Sequence, residues 1–177
     1  MMKSRGFTLI ELIMVLVLIG IVAVFAAPRL GDVTTMKSGA FADKVRADMR
    51  YAQTLAMTGN RRTRTYFNGV GAAPAQGYSA VRDSSAAGNC ASFSAVIDPA
   101  SSGNLTVTVN TGTYAGITLA PAISCLEFDS FGRPYDCSAN LGICSSSPLA
   151  ASVNVAVLGS GVAIGAVTIT AETGAVN

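Results

Sequence analysis

Residues 7–27 read FTLIELIMVLVLIGIVAVFAA, an apolar run carrying a single charge, Glu11. Thr8 to Ala27 is twenty residues, or about 30 Å of α-helix, which matches the hydrocarbon core of a bilayer. Lys3 and Arg5 precede the run. Positive charge ahead of an apolar segment predicts a cytoplasmic N-terminus, with everything beyond about residue 30 exported.

Two ordinary readings compete for this run. A cleavable secretory signal has an apolar core of about 7–15 residues followed by a small-x-small cleavage site; the run here is longer and leads directly into further helical pattern. A plain anchor is the other. Neither explains Glu11, because a carboxylate within an apolar helix is unfavourable, by roughly 2.5–3.5 kcal/mol at the helix centre and less towards its end. A snorkelling carboxylate facing headgroups is the bland account of that residue.

The string Arg5-Gly6-Phe7-Thr8-Leu9-Ile10-Glu11 ahead of an apolar helix resembles the class III signal of type IV pilins and type II secretion pseudopilins. The resemblance implies cleavage between Gly6 and Phe7 by a membrane prepilin peptidase, N-methylation of Phe7, and retention in the inner membrane until an assembly platform moves the subunit into a filament. Partners would then be other pilin subunits, with membrane lipid before assembly. Physical chemistry gives Glu11 a role in that picture. Cleavage creates an ammonium group at Phe7, and a carboxylate can pair with the ammonium of a neighbouring subunit. An unpaired buried charge is strongly unfavourable, so the pair sets the axial register. Pro28 predicts a kink or melted stretch near residues 24–28, or a simple bend.

Beyond residue 30, Met36, Phe41, Val45, Met49, Ala52 and Leu55/Ala56 recur at helical spacing, and Gly59-Asn60 ends the pattern. The two helical halves predict one helix of about 50 residues, apolar first and amphipathic second. From residue 63 the pattern changes to short strands: 63–68, 77–82, 92–97, 104–109, 115–120, 123–129, 151–158 and 162–170, with Gly159-Ser160-Gly161 as a hairpin turn. The expected fold is α+β and type IV pilin-like, a long N-terminal helix packed on antiparallel β-sheets. Its parts are a leader over 1–6, a transmembrane or filament-core helix over 7–30, an amphipathic spine over 31–60 and an exported β-rich domain over 61–177.

Composition narrows the chemistry. Histidine and tryptophan are absent and 12% of residues are charged. Without histidine there is no Ser/His/Asp or Cys/His triad and no HExxH zinc site, and no GxSxG, Walker A or GxGxxG string is present, so neither an enzyme nor a cofactor is expected. Four cysteines, Cys90, Cys125, Cys137 and Cys144, form no CxxC pair. An even count in a Gly/Ser-rich exported region predicts disulfides. Three connectivities exist; the short Cys137–Cys144 separation favours that pair and leaves Cys90 with Cys125.

Charge is also unevenly placed. Residues 29–64 hold eight basic residues against three acids, whereas residues 65–177 hold Arg82 and Arg133 against six. Arg50-Tyr51-Ala52-Gln53-Thr54-Leu55-Ala56, the Arg-rich start of the first strand, Phe131-Gly132-Arg133-Pro134 and the Thr168–Gly174 ending look like H-type (FimT-like) minor pseudopilins, and the whole is similar to minor pilins of mannose-sensitive haemagglutinin pili. The resemblance implies a minor subunit acting in filament initiation or at the tip. Alternatives are a type II secretion pseudopilus subunit, and a DNA-binding pilin in which Arg61, Arg62, Arg64 and Arg133 contact phosphates. Against the last, arginines on a solvated turn commonly only aid solubility.

Overall fold

The computed structural model describes residues 8–26 and 33–177, with side chains over 8–24 and 36–177. The chain divides into two compact units, Met1–Val33 and Thr34–Asn177. In the first, helix α1 spans Leu9–Ala26. Thr8 caps it: its hydroxyl oxygen accepts the Glu11 N–H at 3.3 Å. Every described side chain of this unit, Thr8 to Val24, is exposed. Among the described residues no helix is long and apolar enough to cross a membrane; α1 is 18 residues, about 27 Å, against the roughly 20 residues of a full span. Pro28 and its expected kink lie outside the described residues, as does the join that would make one 50-residue helix.

Helix α2, Val33–Gly59, belongs to the second unit from Thr34 onward. Phe41, Val45, Met49, Ala52 and Ala56 repeat every three or four residues, so one face of α2 is apolar and it is fully buried. Met36, expected on that stripe, is exposed, and Leu55 sits at its margin against Ala80, Val96 and Leu105. Two antiparallel sheets cover the stripe. The larger has the order β3-β2-β1-β6-β7, with β4 also paired to β2; the smaller has the order β5-β8-β9. The strands are β1 Thr63–Phe67, β2 Gly77–Asp83, β3 Phe93–Ala95, β4 Thr106–Thr108, β5 Ile117–Pro121, β6 Cys125–Phe128, β7 Pro134–Asp136, β8 Val153–Gly159 and β9 Val162–Ile169. Eight match expected segments; β7 is additional. It is a three-residue edge strand opening with proline, the position in a sheet where a missing N–H is tolerated.

Register decides what each face carries. Phe67 pairs with Tyr78 and Thr65 with Leu126, which puts Phe67, Tyr78, Leu126 and Phe128 on the α2 side. Ile117, Leu119, Val155, Val157, Val167 and Ile169 of the smaller sheet join the same core. Gly165 lets β9 approach α2 closely, since a Cβ there would stand 3.1 Å from that of Ala42. The expected hairpin at Gly159-Ser160-Gly161 is present, with positive φ at Ser160 (51°) and Gly161 (82°), as a type I′ turn requires. A polar contact enters this core where the Tyr78 hydroxyl donates to Asp48, which also pairs with Lys44 at 3.0 Å.

Candidate functional site

The face of the larger sheet turned away from α2 holds Arg62, Arg64 and Glu127. Arg64 stands directly opposite Glu127 in the β1–β6 ladder, and Arg62 is two residues earlier, hence on the same side. Arg62 and Arg64 each donate to one oxygen of the Glu127 carboxylate. Arg64 and Glu127 have no side-chain exposure. Two buried or half-buried cations thus share one anion, and their remaining donors go to backbone. Arg64 bonds the Leu141 carbonyl at 2.7 Å and the Ile143 carbonyl, and Arg62 bonds the Ser145 carbonyl at 2.8 Å. The Arg62 guanidinium lies over the Tyr135 ring at 4.6 Å and that of Arg64 over the Phe93 ring at 4.5 Å. The loop 137–147 is therefore fastened to the sheet by the two arginines.

The same loop is fastened covalently. The disulfides join Cys90 to Cys144 and Cys125 to Cys137, so the expected pairs Cys137–Cys144 and Cys90–Cys125 are corrected. The reason is β7. Leu126 pairs with Asp136 in the β6–β7 ladder, which brings Cys125 and Cys137 opposite each other, with the Cys137 N–H on the Cys125 carbonyl at 3.1 Å. Cys144 then meets Cys90 on the loop after β2. Asp83, Cys90 and Cys144 lie within 4.8 Å of one another, but both sulfurs are committed to the disulfide, and a metal ligand must be a thiolate.

Beside this layer lies a cleft of about 270 Å³ lined by Arg61, Arg62, Asp83, Asp129, Arg133 and Tyr135, with Phe131 at its edge. The β6–β7 turn forms one wall. The Asp129 carboxylate accepts the N–H groups of Phe131 and Arg133, both at 2.9 Å, and the Arg133 Nε at 3.1 Å. Gly132 needs its positive φ of 79° there, and its carbonyl accepts from Gln53 of α2 at 2.8 Å. On the other wall Arg61 donates to the Ser85 carbonyl and faces the buried Asp83 at 3.9 Å. Of the four arginines expected to face phosphate, Arg61, Arg62 and Arg133 are brought together and Arg64 is buried beneath them. Sequence reading missed Asp83, Glu127, Asp129 and Tyr135. The signal for Glu127 was the alternation Arg62-Thr63-Arg64, which demands an anion across the ladder once the strand is buried on both faces.

Of the N-terminal candidates, Gly6 and Phe7 lie outside the described residues. Glu11 is in the first turn of α1. Thr8-x-x-Glu11 is the capping-box spacing, and a carboxylate there also complements the helix dipole. That spacing and the dipole supply a local argument for Glu11, beside assembly, that the sequence reading overlooked.

Fold and site together define an α+β domain preceded in sequence by an apolar helix. Comparison with known proteins adds three findings. A family model described as the prokaryotic N-terminal methylation motif matches residues 1–27. The type IV narrow pilus major component PilA5 of Thermus thermophilus is 44% identical over 55 residues, 31% of this chain; the chain spans about half the length of this curated relative, 47% of it. Two crystal structures of the type IV minor pilin FimU of Pseudomonas aeruginosa are 13% and 14% identical. Each alignment covers 78% of this chain, and 90% and 85% of those chains, with a TM-score of 0.47. The chain therefore carries the N-terminal methylation motif of type IV pilins, and the superfamily resemblance drawn from Arg5–Glu11 holds.

Proposed function

We propose that the chain is a subunit of a type IV pilus-like filament, in a minor position of the kind that initiates assembly or occupies the tip. Prepilin peptidase cuts between Gly6 and Phe7, and Phe7 is methylated. The run 7–27 is held first in inner-membrane lipid and then against the helices of neighbouring subunits, with the domain of residues 61–177 outside the cytoplasm. One observation carries this reading: within the matched motif, α1 presents an apolar side chain in every direction, from Leu9 at 76% exposed to Val15 at 46%, with Glu11 as its one charge. A soluble monomer does not leave so large a contiguous apolar surface uncovered.

The test separates the two roles of Glu11. A capping box accepts Gln as well as Glu, whereas pairing with the Phe7 ammonium needs the charge. Glu11→Gln is expected to be cleaved and methylated normally yet to drop out of the sheared filament fraction, as Glu11→Ala does. Gly6→Ala is expected to block cleavage. Normal incorporation of Glu11→Gln, or mature Phe7 found by mass spectrometry in Gly6→Ala, refutes the proposal.

A further inference from the structure

We propose that the cleft between the Asn60–Arg62 turn and the β6–β7 turn binds a single carboxylate, an Asp or Glu side chain flanked by an apolar residue and presented by another protein. The charge balance points there. Arg61 faces Asp83, Arg133 pairs with Asp129, and Arg62 and Arg64 divide Glu127 between them, leaving one positive charge without an anion. Donors are free as well. Among the described residues Arg61 and Arg62 spend only Nη1, and Arg133 spends only Nε, so four Nη groups of residues that line the cleft have no protein acceptor. Arginines with unspent paired donors suit the two oxygens of a carboxylate.

The walls argue against a polyanion. Asp83 and Asp129 are nearly unexposed carboxylates within the same cleft. They leave room for one negative charge and repel the next, which a chain of phosphates cannot avoid. At the mouth, Phe131 is 74% exposed beneath the Arg133 guanidinium, 5.3 Å from ring centre to Cζ. That ring offers an apolar neighbour of the acid a surface to cover. That the presenting protein is another filament subunit rests on the proposed function; the carboxylate chemistry does not.

The experiment uses the full chain in nonionic detergent and calorimetric titration with two capped peptides, acetyl-Leu-Glu-Leu-amide and acetyl-Leu-Gln-Leu-amide. The Glu peptide is expected to bind roughly tenfold or more tightly than the Gln peptide, and to weaken as salt rises. Arg133→Gln, whose side chain is half in solvent, should lose most of that preference while keeping the unfolding midpoint. Equal binding of the two peptides, binding of neither, or an unchanged preference in Arg133→Gln overturns the proposal. So does tighter binding of inorganic phosphate or a short oligonucleotide, which would make the cleft a phosphate site. Filament incorporation is scored separately, so failure here leaves the filament reading standing and failure there leaves this one.

Discussion

Removing the disulfides one pair at a time tests the reading of the 137–147 loop. In the chain-entropy account a crosslink stabilises by restricting the unfolded chain, and the effect grows with the logarithm of the loop closed. The Cys90–Cys144 bridge spans 54 residues and Cys125–Cys137 spans 12, which correspond to about 4 and about 3 kcal/mol at room temperature. The shorter bridge is nested inside the longer, so the longer loop contracts somewhat when the inner bridge is intact, and the logarithm makes that correction a few tenths of a kcal/mol. Cys90→Ser/Cys144→Ser should therefore lose about 4 kcal/mol in urea unfolding of the full chain in detergent, and Cys125→Ser/Cys137→Ser about 3 kcal/mol. The sharper readout is thiol content in denaturant without reductant. Each double variant keeps one intact bridge and should show no free thiol. Had the cysteines paired by closeness in sequence, each double variant would break both bridges and expose two thiols. Two thiols in either variant would refute the pairing and, with it, the β6–β7 register that explains it.

Two further expectations follow from buried polar groups. Glu127→Gln leaves the unexposed Arg64 without its anion and should destabilise the domain by about 3–5 kcal/mol; a urea-derived loss below about 1 kcal/mol would show that Arg64 escapes to solvent. Burial, reinforced by the adjacent Asp48 carboxylate, holds the Tyr78 hydroxyl well above its usual pKa of 10.0. The folded state thus binds this proton more tightly than the unfolded chain, so the stabilisation is whole below about pH 10 and is lost as pH climbs from there towards the folded-state value. Urea midpoints measured from pH 8 to 11 should fall for the native chain and fall less for Tyr78→Phe; parallel curves would contradict the assignment.

Much of the architecture was legible because it rests on local periodicity. The α2 stripe from Phe41 to Ala56, the alternation in β8 and β9, and the Gly159–Gly161 turn are short-range patterns set by residues within a turn or two. Where the reading went astray, longer-range pairing decided. Met36 lies on the helical repeat yet has nothing packed on it. Pro134–Asp136 is too short to read as a strand and becomes one only because Leu126–Phe128 lies beside it. Missing that strand led directly to the wrong cysteine pairs. The arginines read as a cluster in sequence, but their fates diverge by what covers them: the 137–147 loop closes over Arg64, while Arg61, Arg62 and Arg133 line a cleft.

The order of an apolar rod, an amphipathic spine and a strand-rich domain, together with the N-terminal methylation motif over residues 1–27, was determined by the sequence alone, because hydrophobic period and motif spacing are properties of neighbouring residues. Which cysteines bond, which arginines are buried and which carboxylates they meet was decided only by tertiary structure, because those depend on sheet register, and register brings together residues that no local pattern connects.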